Sequence, residues 1–277
     1  MYRCPMLIKR IDATRLDDCL ALTASREWTP EPRSWQFLFE IGVVYGIEDP
    51  DGGLAGCVVS TRYGTRLSGI GMMLVAEKFG RQGLGTRLME HAIADAGTES
   101  TWLTATAFGK PLYEKLGFRS LGECTRYAGD LRLSASGASR PASIKDIPAI
   151  AELDAAVFGA PREHVLRALP TAADQLRVIQ GTDGVRGYGA AWRNVDNTAI
   201  GPLVADDVRT AMDLIADLAA GSDQPIRFDL GDTYPELREW LESHGAQRVF
   251  DTTVMVYGAS LPGDRERLFL PLTLATG

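Results

Sequence analysis

One order of elements is written twice along this chain of 277 residues, and that repeat restricts its fold more than any other feature. In the first half Leu16, Cys19, Leu20 and Thr23 recur at helical spacing, with Asp12 or Thr14 placed to cap the helix. A polar stretch broken by proline, Glu27 to Pro32, precedes a short aromatic helix around Trp35, Leu38 and Phe39. Strand-like runs follow at Val43–Glu48, Leu54–Tyr63 and Arg66–Ala76. The turn Asp49-Pro50-Asp51-Gly52-Gly53 joins the first pair, so they read as an antiparallel meander. Gly83–Ala96 then reads as a helix and Thr101–Thr106 as a strand. Lys110–Leu116 is a short helix stopped by Gly117, and Phe118–Leu133 gives one or two strands.

The small, polar residues Ser134–Arg140 read as a linker. Beyond it the order recurs. Helices fall at Asp146–Val157 and Arg162–Leu169, and strands at Leu176–Gln180, Val185–Trp192 and Ala199–Val204. Helix Asp206–Ala220, strand Ile226–Leu230, helix Pro235–His244 and strand Gln247–Tyr257 complete it. Ile70–Glu77 parallels Ile200–Asp206, and the helix ending at Gly117 parallels the one ending at Gly245. The expected fold is α+β (mixed α/β), a structural duplication of residues 1–133 and 141–277.

Charge and cysteine content remove several functions. A net charge of −7 with no Lys/Arg run argues against nucleic acid and anionic membranes. Cys4, Cys19, Cys57 and Cys124 form no CxxC pair, and with only three histidines a metal site is not expected. They read as reduced, partly buried small hydrophobes. No signal-like or membrane-spanning apolar run is present, so a soluble, cytoplasmic protein is expected; a homodimer is compatible with these features.

The most chemical stretch is Met72-Met73-Leu74-Val75-Ala76-Glu77-Lys78-Phe79-Gly80-Arg81-Gln82-Gly83-Leu84-Gly85-Thr86-Arg87-Leu88. An apolar strand enters a three-glycine loop and a helix starts at once, aiming unpaired amides and the positive helix end at one point. That suits a pyrophosphate. A P-loop would end in Gly-Lys-Ser/Thr, and a dinucleotide fingerprint would need a third glycine at Leu88. On its own the loop also fits a plain tight strand-to-helix turn.

The segment Gly80-Arg81-Gln82-Gly83-Leu84-Gly85 resembles the cofactor motif of the GNAT superfamily of acyl-CoA-dependent N-acyltransferases. Leu112-Tyr113-Glu114-Lys115-Leu116-Gly117-Phe118 resembles that superfamily's later signature. Ala105-Thr106-Ala107-Phe108-Gly109-Lys110-Pro111-Leu112-Tyr113 is similar to a bacterial tandem subgroup with a divergent second domain. The resemblance implies two GNAT-like domains, each a mostly antiparallel mixed sheet flanked by helices. Residues 1–133 would hold acetyl-CoA as co-substrate and 141–277 would lack the cofactor loop. Two departures stand out: Gly80 replaces the usual Arg or Gln, leaving Arg81 or Arg87 to supply charge, and Thr106 or a neighbour replaces a frequent Asn.

By the same resemblance, Met73, Leu74 and Val75 bind the pantetheine arm, and one amide there polarises the thioester. Gly80, Arg81, Gln82, Gly83, Leu84, Gly85 and Thr86 cradle the pyrophosphate, with Thr106 nearby. Tyr113 matches the general acid for the departing thiolate, although its position also suits a core aromatic. Ser68, Gly69, Ile70 and Gly71 offer no carboxylate base. Glu27 and Glu31 are the candidates, then Glu40; the carboxylate of Gly277 is a remoter one. Each also reads as an ordinary surface group. Trp28 and Trp35 flank the implied acceptor pocket, where they would favour an apolar or cationic amine, or else pack the core.

In the second half Leu203-Val204-Ala205-Asp206-Asp207 enters its helix with no glycine, and Leu241 stands at the tyrosine position. The two aspartates would cap a helix but repel a pyrophosphate. His164 and His244 read as structural, while Asp229 and Asp232 lie where they could reach an acceptor. The expected activity is transfer of an acetyl group from acetyl-CoA to a primary amine of a small molecule. The alternatives are a protein or peptide N-acyltransferase and a non-catalytic acyl-CoA-binding regulator.

Overall fold

A computed structural model describes residues 6–276; Cys4 and Gly277 lie outside the described residues. The first half runs β1 (Ile8–Ile11), α1 (Leu16–Ala24), α2 (Pro32–Ile41), β2 (Val43–Glu48), β3 (Leu54–Tyr63), β4 (Leu67–Val75), α3 (Leu84–Ala96), β5 (Ser100–Ala105), α4 (Lys110–Lys115) and β6 (Arg119–Gly129). The second runs β7 (Arg140–Pro141), α5 (Ile147–Phe158), α6 (Glu163–Ala172), β8 (Gln175–Gln180), β9 (Val185–Arg193), β10 (Thr198–Ala205), α7 (Val208–Ala219), β11 (Ile226–Gly231), α8 (Pro235–Ser243), β12 (Gln247–Gly258) and β13 (Leu268–Leu270). The mixed α/β order is therefore the one its periodicity predicts. The short strands β1, β7 and β13 are additions with too few residues to show a period.

All thirteen strands join one sheet in the order β1-β2-β3-β4-β5-β12-β6-β11-β10-β9-β8-β7, with β13 attached to β10. The two halves exchange their last long strands. β12 runs antiparallel between β5 and β6, and β6 runs antiparallel against β11. Each sheet is completed by the other half.

Apolar spacing explains the helix placement. On α3, Leu84, Leu88, Met89, Ala92 and Ala96 form a stripe that packs with Ile70, Leu103 and Met255 of the sheet. Its C-terminus closes at Gly97, which takes the left-handed conformation (φ 57°) that glycine adopts at least cost. On the other face α1 and α2 bury Cys19, Leu22, Trp35 and Leu38 against β2, β3 and β4. Asp12 caps the short turn Ala13–Arg15 that leads into α1, accepting from the Thr14 amide at 2.9 Å, while α1 itself starts without a side-chain cap.

A further core lies between the halves, where Phe37, Ile41, Tyr63 and Trp102 meet Phe158, Val165 and Leu169. At its centre Arg162 grips Asp154 through two bonds of 2.7 Å, lies 4.1 Å over the Phe158 ring, and is joined by the Tyr188 hydroxyl. Outside that core, Arg33 reaches Asp174 at 3.0 Å and the Ala172 carbonyl at 2.9 Å. The segment 134–140 is tied down rather than loose. Asp217 of α7 accepts from the amides of Gly137 and Ser139, both at 2.9 Å, and from the Ser139 hydroxyl at 2.6 Å. Cys19, Cys57 and Cys124 are free and buried.

Candidate active site

β4 and β5 pair in parallel only from Leu67↔Ser100 to Ile70↔Leu103. Beyond that β5 is paired only on its other edge, by β12, with Thr104 opposite Val254 and Ala105 opposite Thr253. β4 continues to Val75 paired only with β3, so a wedge opens between β4 and β5. A bulge sits on β4 at that point: Met72 and Met73 together oppose Val58, between the pairs Val59↔Gly71 and Cys57↔Leu74. Met72 has φ 47°, a conformation that costs a non-glycine residue about 1–2 kcal/mol. At the bulge the β3–β4 ladder is interrupted, and the Cys57 thiol donates to the Met72 carbonyl at 3.5 Å.

The chain then bends into α3. The Phe79 amide donates to the Ala76 carbonyl and the Gly80 amide to the Glu77 carbonyl, both at 2.9 Å. From Arg81 to Thr86, however, no amide has an acceptor among the described residues. Arg81 (φ 60°) and Gly83 (φ 80°) are both left-handed, which curls these amides into a concave nest at the positive end of α3. A Cβ on Gly83 would meet nothing within 4 Å, so the space over the nest is open. A Cβ on Gly85 would lie 3.2 Å from Leu112 Cδ2 and 3.6 Å from Met73 Cε. That glycine lets α3, α4 and the bulge close together. Leu84 is buried and anchors the helix, while Arg81, Gln82 and Arg87 are exposed at the rim. Thr106 closes the turn before α4, its hydroxyl accepting weakly from the Gly109 amide at 3.3 Å.

Tyr113 on α4 is 7% exposed, with its ring laid over Gly109 and 5.9 Å from Phe118. Burial pushes its phenol up to about 12, and its hydroxyl has no partner among the described residues. It packs with Met73 and Leu112, beside the wedge.

The α1–α2 loop overhangs the opposite face. Arg26 lies 5.5 Å over the Phe108 ring, just past β5. Glu31 accepts from the Val195 amide at 3.0 Å, and burial raises its carboxyl above the usual range. Glu27 (φ 59°) and Glu40 are exposed, and Trp28 is 44% exposed. Trp35 departs from the expected pocket position. It is 1% exposed, donates to the Thr23 hydroxyl at 3.0 Å and packs the α1–α2 core, so it faces no opening. On β4, Gly69 and Gly71 are covered by the backbone of Ala275 and Thr276. The Gly277 carboxylate, the remoter base candidate, lies outside the described residues.

The second half has a matching wedge, but it is filled. β10 and β11 pair only at Thr198↔Ile226 and Ala199↔Arg227, after which β13 takes the edge of β10. Asp207 caps α7, accepting from the Thr210 amide at 2.7 Å, and Arg186 and Arg267 pair with the Asp206–Asp207 corner. Leu241 is fully buried. His164 packs 6.1 Å from Tyr63 and His244 meets the Trp240 carbonyl. Asp229 holds Arg126 at 2.7 and 3.1 Å, and Asp232 accepts from the Glu123 amide. Sequence reasoning missed Arg227, whose only signal is a charge inside the apolar run Ile226–Leu230.

Family models for the acetyltransferase (GNAT) domain match this chain twice, at residues 40–120 and 150–270, together well over half its length. The chain belongs to the GNAT superfamily. It is a tandem GNAT protein and an acyl-CoA-dependent acetyltransferase. A Bacillus subtilis (strain 168) protein described as the uncharacterized N-acetyltransferase YitH is 28% identical over 251 residues, 87% of this chain and 88% of its own. A crystal structure of a candidate acetyltransferase from Pyrococcus horikoshii superimposes with TM-score 0.83 at 19% identity, over 100% of this chain and 98% of that one. A tandem GNAT protein from the clavulanic acid biosynthesis pathway has TM-score 0.66 at 12% identity, covering 92% of this chain and 99% of its own. No helix among the described residues is long and apolar enough to cross a membrane, and no cluster of metal-ligating side chains occurs among them.

Proposed function

We propose that this tandem GNAT transfers an acetyl group from acetyl-CoA to a primary amine of a small molecule, at the wedge of its first half. The observation that carries this reading is the run of amides Arg81–Thr86 without acceptors, beside the end of β4 that β5 leaves unpaired. A pyrophosphate suits the nest, since helix N-termini favour anions by about 0.3–1 kcal/mol and more when partly buried. Arg81 and Arg87 stand at the rim to supply charge in place of the motif's first Arg or Gln. The pantetheine arm lies along Met73, Leu74 and Val75, and one bulge amide polarises the thioester carbonyl. Loss of such a donor costs roughly 3–4 kcal/mol of barrier.

Tyr113 donates its proton, or a hydrogen bond, to the departing sulfur. The amine must arrive unprotonated. Of the carboxylates in the overhanging loop, Glu31 lies beside Arg227, away from the wedge, and Glu27 is exposed, so the amine loses its proton to solvent. Packing of the second half on that loop and on the start of α2, through Glu31–Val195 and Arg33–Asp174, supports a small acceptor over a peptide laid in an open groove.

Calorimetry with acetyl-CoA tests the reading. One site per chain is expected, weakened at least about tenfold in Gly83→Asp, where a carboxylate enters the nest. Turnover of primary amines should then be found by following free CoA. Two sites would mean that the second wedge opens, and no binding of any acyl-CoA would sink the proposal.

A further inference from the structure

Arg227 is a partly buried cation that acyl transfer at the wedge leaves unused. Its β11 neighbours Ile226, Phe228 and Leu230 are buried in the core beneath α7 and α8. Strand alternation turns Arg227 and Asp229 to the opposite face. The register carries that face across the sheet. Arg227 lies opposite Ala128 and Asp229 opposite Arg126 on β6; Cys124 lies opposite Thr252 on β12; and Val254 lies opposite Thr104 on β5. Thr104 stands at the mouth of the wedge, its hydroxyl donating to the Leu274 carbonyl at 2.9 Å. One face therefore runs from the wedge to Arg227 beneath the α1–α2 loop.

No Arg227 nitrogen has a hydrogen-bond partner among the described residues, and its Nε is sealed from solvent. The carboxylates beside it are committed elsewhere. Asp229 holds Arg126 through two bonds, and Glu31 accepts from the Val195 amide. Burial and the nearby Arg126 push the guanidinium down to about 10, still charged at neutral pH. A desolvated charge without a hydrogen-bonded partner is costly, and a guanidinium fork matches a carboxylate or phosphate bidentately.

We infer that Arg227 anchors an anionic group, carboxylate or phosphate, carried by the amine acceptor away from its reacting nitrogen. The inference rests on acyl transfer at the first-half wedge. Arg227 is three strand spacings across and six residues along from Thr104 at the wedge, roughly 25 Å between Cα atoms, so the acceptor is a long, extended molecule.

The test is equilibrium binding of product analogues to the full chain with CoA present, which needs no turnover. The probes are N-acetyl-ω-aminoalkanoates of graded length, their carboxamides, and the matching N-acetyl-ω-aminoalkyl phosphates. The wild-type protein should bind one anionic series at least about tenfold more tightly than the amides, a difference of about 1.4 kcal/mol. Which series wins identifies the group. The preference should vanish in Arg227→Gln and persist in part in Arg227→Lys. Arg227→Met, which retains much of the apolar stem, repeats the test should the Gln variant not fold. Absence of any anionic preference in the wild-type protein overturns the assignment, as does a preference that survives in a folded neutral variant. Acetyl-CoA titrated into the same samples separates the two readings. Intact acetyl-CoA binding without anionic preference removes only the role of Arg227, whereas no acetyl-CoA binding removes the acyl-transfer site itself.

Discussion

Tyr113 keeps its proton tightly, because burial pushes the phenol up to about 12. A free thiol sits near about 8.5, so full transfer to a thiolate would be uphill by roughly 5 kcal/mol unless the site desolvates the sulfur too. Tyr113 therefore acts chiefly as a hydrogen-bond donor to developing negative charge. In Tyr113→Phe, kcat should fall about 10²-fold while acetyl-CoA affinity changes less than about twofold, read from free-CoA release and calorimetry. The pH profile has a definite sign. With its pKa raised, the tyrosine stays protonated throughout the neutral and mildly alkaline range. The wild-type rate should rise with amine deprotonation and show no fall from this residue below about pH 10. A fall near pH 9 that disappears in Tyr113→Phe would show that burial does not control the proton. Asp154 belongs to stability instead. Asp154→Asn leaves Arg162 charged in the core with half its partner, which should cost about 3–5 kcal/mol in urea unfolding. A loss under about 1 kcal/mol would mean that water reaches the pair.

The element that shapes both wedges is the end of the chain. β13 fills the gap between β10 and β11, and Leu274–Thr276 then crosses β4 and β5 of the first half. A Cβ on Gly69 would stand 1.7 Å from the Thr276 carbonyl oxygen, and one on Gly71 1.8 Å from that of Ala275. Neither contact can survive a methyl group. Gly69→Ala, short of the bulge, should lift the segment, cost about 1–3 kcal/mol and lower Tm by several degrees, while acetyl-CoA binding persists. An unchanged Tm would show that the segment is not held there. These elements were invisible in the sequence because two three-residue pieces have no period. The nest was legible because left-handed turns and close helix approach select glycine, as Gly83 and Gly85 do. Trp35 misled because an aromatic on an amphipathic helix reads alike whether it faces a core or a pocket. Arg227 was missed because its significance lies in register with β6, which no local pattern encodes.

The exchange of β6 and β12 makes the duplicated halves one mechanical unit. Residues 1–133 read as a domain in sequence, yet without β12 both β5 and β6 would present bare edges, and Met255 would leave the core of α3 and α4. The second half without β6 would lose Tyr127, which stacks 5.6 Å from Phe228 over the α7–α8 core. Each fragment thus exposes a long unpaired edge and a face of its own core, the combination that favours aggregation over folding. The intact chain should unfold in one cooperative transition by fluorescence and by circular dichroism, although two homologous domains would ordinarily give two. Fragments 6–133 and 134–276 should each be poorly folded alone, and co-expression should restore a soluble pair, since the exchanged strands need partners and not a covalent link. Two separated transitions, or a folded first fragment that binds acetyl-CoA, would mean that β12 is replaceable and that the halves are independent. The same interlock explains why a wedge without a cofactor loop persists. The second half closes the first half's sheet, roofs its acceptor face through α6 and the β9–β10 turn, and supplies Arg227, so its structural role survives without chemistry of its own.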